Sequence, residues 1–377
     1  MPTNASFPIM GWNWLQNEPQ KLKRMRECGF TIAGFAKPEE LDACHQADLQ
    51  AIVSDPRCQG YDWLKVAPAQ ARKNAKSLVA QVKDHPAVYG YHLRDEPSAA
   101  WFKGLATVAD SFRKLDPDRW PYINLFPNYA SPQQLGTATY EEHIEKFVRI
   151  CRPPFLSYDN YSFMLPTEED RQLFWLNLEQ MRSCSLRHRI PFWNIVLSLG
   201  AIVYREPTAA DIRLQAFASL AYGAAGLSWF MYFAAEVGNF RMSPVDQFGV
   251  ETSTWYLVQN VNLQIQQWAP TYLKLRSTDV YHLGAVPAGS HGPSERSLLM
   301  DDGQRSLLVG EFIHADRSHY LIVVNKDMIK DTYCSLNFRC TPKLVEFVSP
   351  WRGTVLKFEG ECGFMAPGQA HLLKITM

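Results

Sequence analysis

The run Val88-Tyr-Gly-Tyr-His-Leu-Arg-Asp-Glu-Pro97 carries an apolar strand pattern onto two adjacent carboxylates, and a proline closes it. A carboxyl on such a stiff turn can protonate a leaving-group oxygen if it keeps its proton near neutral pH. Glu96 is the candidate acid. Asp95 beside it and an aromatic enclosure would both disfavour a further negative charge and so raise its pKa. Chemistry of this kind needs a second carboxylate, ionised, as nucleophile, base or stabiliser of positive charge. Asp159, in Ser157-Tyr-Asp-Asn-Tyr161, is the better candidate for that role, two strands further along the chain. Tyr161 could bond Asp159 or a substituent of the substrate. Plainer readings stay open. Acids are common where a helix starts, so Asp95 and Glu96 could be capping groups. Asp159 could bond a loop backbone.

Elements must place these residues. The first 275 residues alternate strand and helix patterns eight times. Strands are expected at 7–13, 30–36, 50–55, 87–95, 121–126, 154–161, 191–199 and 226–233. Helices are expected at 18–28, 68–84, 99–115, 139–151, 168–188, 208–224 and 253–275, with Thr208 capping its helix. Eight such units in roughly 250 residues match a (β/α)8 barrel, whose active face lies at the strand C-terminal ends. A doubly wound sheet would place a GxGxxG loop behind strand one, and none stands there. Regular alternation points Gly90, His92, Arg94 and Glu96 one way and Tyr89, Tyr91 and Leu93 towards covering helices. On strand six it groups Ser157, Asp159 and Tyr161. After about Ser277 the pattern becomes short strands at SLLVGEFI, HYLIVVNKD, YCSLNFRC, KLVEFVSP and HLLKITM, read as a small antiparallel sandwich. The expected division is a catalytic barrel at 1–276 and a sandwich at 277–377, with loop at 284–303.

Other strand ends supply amides and aromatics. Trp12, Asn13, Asn128, Asn194 and Tyr232 are candidate substrate contacts, and Trp229 a candidate floor beneath a sugar ring. Trp229 could instead be barrel core, the three asparagines turn residues, and His92 part of a buried polar network. Glu206 and Glu236 are reserve carboxylates. Two carboxylates on a face lined with aromatics and amides fit glycoside hydrolysis.

Composition is consistent with this. Lys+Arg and Asp+Glu both count 38, so no net field favours nucleic acid or an anionic membrane. Aromatics make up 13%, a supply of flat faces that can stack on sugars or simply fill a large core. The 8 cysteines show no CxxC or metal spacing, and no His-x-His or His-Glu-x-x-His pattern occurs, so neither metal nor cofactor is expected. Cys334 and Cys340 are near enough in sequence to pair, though strand geometry could equally forbid it. No apolar run approaches the roughly 20 residues of a membrane span. No signal peptide is visible, and the expectation is a secreted or periplasmic protein, monomeric or a simple homo-oligomer, whose signal has been removed.

Several runs resemble bacterial (β/α)8 glycoside hydrolases acting on polysaccharides. They are Asp95-Glu96-Pro97, Asn124-Leu-Phe-Pro-Asn-Tyr129, Ser157-Tyr-Asp-Asn-Tyr161, Arg205-Glu-Pro-Thr-Ala-Ala-Asp-Ile-Arg213 and Ala221-Tyr-Gly-Ala-Ala-Gly-Leu-Ser-Trp-Phe230. Val309-Gly-Glu-Phe312 and Val324-Asn-Lys-Asp327 resemble the β-domain that often follows such barrels. The resemblance implies a poly- or oligosaccharide substrate. Two departures stand out. Retaining clan A barrels carry Asn-Glu on strand four, where this chain has Asp95-Glu96. They carry a glutamate nucleophile at the end of strand seven, where Ile195-Val-Leu-Ser-Leu-Gly200 has no acid. Acid on strand four with Asp-x-Tyr on strand six is closer to chitinase-like barrels, in which the substrate's acetamido group is the nucleophile, although DxxDxDxE is absent. Three expectations follow: a glycosidase, a non-catalytic carbohydrate-binding barrel, or a barrel enzyme of another class.

Overall fold

The computed structural model describes residues 6–164 and 173–377. Eight parallel strands occur at β1 Ile9–Gly11, β2 Ile32–Ala36, β3 Gln50–Val53, β4 Val88–Asp95, β5 Trp120–Asn124, β6 Leu156–Asp159, β7 Phe192–Leu197 and β8 Gly226–Phe230. Hydrogen-bonded neighbours run β5-β4-β3-β2-β1-β8-β7-β6. Leu125 closes the remaining gap. Its N–H donates to the Ser157 carbonyl at 2.8 Å, and it bridges Tyr158 in parallel. The result is the expected barrel.

Helices cover the outside: α1 Pro19–Glu27, α2 Leu41–Gln46, α3 Pro68–Val82, α4 Phe102–Leu115, α5 Tyr140–Cys151, α6 Leu173–His188, α7 Ala209–Ala221 and α8 Ser253–Tyr272. Residues 168–172 of the expected sixth helix lie outside the described residues. On α4, Phe102, Leu105, Val108, Ala109 and Phe112 repeat at helical spacing and are buried against the barrel. Thr208 caps α7 as expected. Its hydroxyl accepts from the Asp211 N–H at 3.2 Å, and the Asp211 carboxylate accepts from the Thr208 N–H at 2.8 Å.

Inside the barrel, Met10, Trp12, Ile32, Phe35, Tyr122, Phe155 and Trp193 form a separate apolar cluster, joined by the half-buried Tyr89 and Trp120. Fully burying a large apolar side chain is worth roughly 1.5–3 kcal/mol, so this inner layer also holds the strands in register. Gly34, at φ +101°, is required where β1 and β2 meet, since a Cβ there would lie 2.2 Å from the Gly11 carbonyl oxygen. Tyr89 faces this inner cluster, contrary to strict alternation. Val88 pairs with Ala51 and Gly90 with Ile52, so the register shifts by one residue at Tyr89 and its side chain turns inward. Tyr91 and Leu93 do face the helices, and Tyr91 donates to Asp116 at 2.6 Å.

A six-stranded antiparallel sheet follows, in the order β9-β10-β11-β14-β12-β13, comprising β9 Leu275–Leu283, β10 Leu307–His314, β11 His319–Asn325, β12 Leu344–Val348, β13 Val355–Lys357 and β14 Ala370–Thr376. Two departures from expectation occur. β9 begins within the range expected to end the last helix. The strand expected at Tyr333–Cys340 reduces to Thr332–Tyr333, paired with Phe364–Met365, plus a single Phe338–Leu299 bridge. This short ladder covers the sheet's outer face, with Leu299, Cys334 and Met365 packed on Tyr281, Leu321 and Leu373. The inner face lies on α7 and α8. Gly310 makes that contact possible, because a Cβ would come within 2.2 Å of the Ala221 carbonyl. Trp268 Nε1 donates to the Val348 carbonyl at 2.9 Å. Cys334 is buried, Cys340 is exposed, and both are free thiols.

Candidate active site

β4 delivers Asp95 and Glu96 to the C-terminal face of the barrel. Register with β5 shifts between His92 and Arg94, then sets Asp95 opposite Asn124. Glu96 adopts φ +44°, a left-handed backbone that costs a non-glycine residue roughly 1–3 kcal/mol. The Glu96 N–H, donating to the Asn124 carbonyl at 2.9 Å, helps hold it there.

Asn124 organises the carboxyl groups. Ser157 Oγ donates to Asn124 Oδ1 at 3.0 Å, which orients the amide. Tyr122 OH lies 2.8 Å from Ser157 Oγ and, with that hydroxyl already donating, supplies the proton. Asn124 Nδ2 then donates to Asp159 Oδ1 at 2.8 Å and to Asp95 Oδ1 at 3.0 Å. Ser157 and Asp159 thus share the inner face of β6, as their alternation predicts. Asp159 is 5% exposed.

Glu96 and Asp159 form a side-chain hydrogen bond with each other. Two carboxyls can do so only if one of them carries a proton. Half-burial, then the charge of Asp95, pushes Glu96 up to about 7. Burial, then the charges of Glu96 and Asp95, holds Asp159 well above the usual carboxylate range. The pair therefore titrates as a unit that keeps one proton near neutral pH. Tyr161 completes the wall. Its ring centroid lies 5.3 Å from Phe230 and 5.7 Å from Tyr204, and its N–H donates to Tyr129 OH at 3.2 Å. Burial, then the Asp159 charge, raises its phenol pKa.

Beneath the carboxyls, the His92 ring stacks on Phe35 at 3.9 Å and 8°, with Nδ1 2.7 Å from Gln59 Nε2. Burial, followed by the charge of Arg94, lowers its pKa to about 3, so it is neutral. Arg94 does not join it. The guanidinium lies 4.8 Å from the Trp101 ring centroid, on the solvent side. Trp12 packs edge-on to Phe35 at 4.7 Å. Asn13, at φ +97°, reaches Met231 Sδ at 3.4 Å.

The remaining expected contacts lie elsewhere. Trp229 is fully buried on the outer side of β8, its Nε1 donating to Asn262 of α8 at 2.8 Å, and is not a sugar platform. Asn194 is turned the same way and donates to Ser219 of α7 at 2.9 Å. Tyr232 accepts from Trp255 Nε1 at 2.9 Å. Each satisfies a buried polar group at a helix contact, which fixes its direction. Asn128 is held towards α6 through Leu173, Asn177 and Gln180. Glu206 lies 3.2 Å from Arg241, in the loop after β7. Asn124 is the residue the sequence reading passed over. Its signal was an amide at the end of an otherwise apolar strand, level with Asp95.

No family model and no curated protein sequence matches this chain. Solved structures do. A glycoside hydrolase family 5 protein from Bacteroides vulgatus superposes with a TM-score of 0.61 at 11% identity, covering 98% of this chain and 89% of its own. A protein described as a glycoside hydrolase gives 0.60 at 12% identity, over 98% and 92%. A β-galactosidase from the psychrophilic Marinomonas ef1 gives 0.53 at 11% identity over 70% of this chain, which spans 60% of that enzyme. At these identities the likeness is one of fold, and it extends through the barrel and the C-terminal sheet.

Proposed function

We propose that this chain is a glycoside hydrolase acting on a poly- or oligosaccharide, with Glu96 as general acid/base and Asp159 as the carboxyl that shares its proton. The observation that carries the reading is the hydrogen-bonded Glu96–Asp159 pair at the C-terminal ends of β4 and β6. A proton held near neutral pH is what protonation of a glycosidic oxygen requires. Glu96 gives that proton to the leaving oxygen as the bond to the anomeric carbon breaks, and takes one back from the water that then attacks that carbon. Asp95 keeps the pair electron-rich, and Tyr161 and Trp12 present apolar faces to the sugar. The barrel at 1–276 carries the chemistry, and the sandwich at 277–377 braces α7 and α8. Superposition on two solved glycoside hydrolases over 98% of the chain supports the class.

Spacing favours a finer reading. Paired carboxyls stand about 5–5.5 Å apart in retaining enzymes and about 6.5–9.5 Å apart in inverting ones, with the sugar between them. Carboxyls in hydrogen-bond contact leave no room for that, so Asp159 stands beside Glu96 rather than across the ring. β7 also ends at Leu197-Ser198 without an acid. The nucleophile is then a 2-acetamido group of the substrate, whose oxygen closes on the anomeric carbon while Asp159 and Tyr161 orient it.

Reducing-end release by wild type and Glu96→Gln, across polysaccharides and paired 2-acetamido and 2-hydroxy aryl glycosides, tests both statements. Turnover lost in the variant supports the acid. Cleavage confined to 2-acetamido sugars supports the nucleophile, and equal cleavage of 2-hydroxy sugars removes it. Saturable binding without turnover by either protein would make the barrel a carbohydrate-binding module.

A further inference from the structure

On the outside of the barrel, α5 and α6 bring together three groups that the strand-end chemistry does not use. Cys184 and His188 lie four residues apart on one face of α6, and Glu145 faces them from α5. One donor atom from each lies within 4.8 Å of the others. His188 Nε2 is 2.8 Å from Glu145 Oε2, and the Cys184 thiol lies beside the same carboxylate. Arg187 holds the other oxygen, Oε1. The thiol is buried, while His188 and Glu145, with Lys146 and Arg149, line a cavity of about 610 Å³.

We propose that Glu145, Cys184 and His188 form a zinc-binding site that clasps α5 to α6. His188 is the last residue of α6, and β7 starts at Phe192, so the site lies near the strand N-terminal ends, away from Glu96. Thiolate, imidazole and carboxylate are the donor set of Zn²⁺, whereas Mg²⁺ and Ca²⁺ take oxygen ligands. Three protein ligands leave a fourth position facing the cavity for water. The His188–Glu145 hydrogen bond and the thiol beside it mark where the cation would sit. Zinc replaces the thiol proton, so Cys184 binds as thiolate and one proton leaves for solvent, together with any proton held between His188 and Glu145. The charged groups Glu142, Lys146, Arg149 and Arg152 line the cavity beside the site, and Arg187 reaches Glu145 from α6. Arg187 keeps its bond to Oε1 and leaves Oε2 for the metal, acting as a positioning residue.

The test uses the full chain, stripped with a chelator and titrated with Co²⁺ and then Zn²⁺. Wild type is expected to develop a near-ultraviolet thiolate-to-cobalt band that saturates at one equivalent and is abolished by zinc. Cys184→Ser removes the band. Glu145→Gln, at a partly exposed position, and Arg187→Ala each weaken zinc binding, the latter by about 10–100-fold, as loss of an outer partner does. Circular dichroism establishes that each variant is folded. The proposal is overturned if wild type shows no band. It is also overturned by an equal band in Cys184→Ser, which would place the metal on another thiol, or by unchanged zinc affinity in Glu145→Gln. None of these readouts depends on glycosidase activity.

Discussion

Strands β4 to β6 and strands β7 to β8 both carry amides and aromatics, with acids only on the former, yet use their polar residues in opposite directions. On β4 to β6, Asp95, Asn124, Ser157 and Asp159 join one hydrogen-bond network at the mouth of the barrel. On β7 and β8, Asn194 and Trp229 turn outward and bond to α7 and α8. The difference lies in what waits on the other side. The helices behind β7 and β8 present Ser219 and Asn262, buried polar groups that need partners. A polar residue on these strands lowers its free energy by facing the helix. Around β4 to β6 the neighbours are other polar strand ends, so the same residue types converge and concentrate charge. Burial, and then that concentration of charge, raises the Glu96 and Asp159 pKa values, which turns a polar rim into a proton-holding site.

The largest effect expected is that of Glu96→Gln, which removes the proton donor and lowers kcat by about 10²–10⁴-fold, the usual worth of general acid catalysis. Wild-type kcat in the variant would remove the β4–β6 side from the chemistry. The same substitution changes stability in the opposite sense. A carboxyl whose pKa rises from 4.5 to about 7 on folding contributes stability that is fully present below pH 4.5 and is lost as pH rises through about 7. Glu96→Gln should therefore flatten the fall in melting temperature over that range, and calorimetry at a series of pH values measures it.

Asp95→Asn comes next. With Glu96 as the proposed acid, the wild-type rate is expected to fall as pH rises through about 7, because Glu96 must be protonated to donate. Removing the Asp95 charge removes one of the two causes that hold this pKa up, so the alkaline limb of kcat/KM moves to lower pH. An unmoved limb would mean that Asp95 does not sense Glu96. The smallest effect on rate belongs to the other side of the barrel. Trp229→Phe leaves Asn262 with a buried, unpaired acceptor and costs about 1–3 kcal/mol of stability in denaturant unfolding. It leaves kcat/KM of the folded protein unchanged. A large rise in KM would mean that Trp229 touches the sugar after all.

Much of this was readable from residue order. Alternation of strand and helix patterns announced the barrel, because each element must bury one face and these periods recur eight times. Thr208 announced the start of α7, since the hydroxyl and the carboxylate three residues on satisfy each other locally. Alternation on β6 put Ser157 and Asp159 together. On β4 the same rule misplaced Tyr89, because a register shift is set by the neighbouring strand and leaves no mark in a period of two. Trp229, Asn194 and Tyr232 were misjudged for a related reason. Their directions depend on Asn262, Ser219 and Trp255, residues distant in the chain.

The sequence by itself determined which residues could do chemistry and which end of the barrel would hold them. Both follow from local pattern, namely where apolar runs stop and acids begin. Only the tertiary structure decided that Glu96 meets Asp159 directly, that Asn124 joins them to Asp95, and that Cys184 and His188 face Glu145 across two helices. Hydrogen bonds and charge interactions depend on separations of a few ångströms. Those separations are fixed by how strands close and helices pack, and no spacing along the chain encodes them.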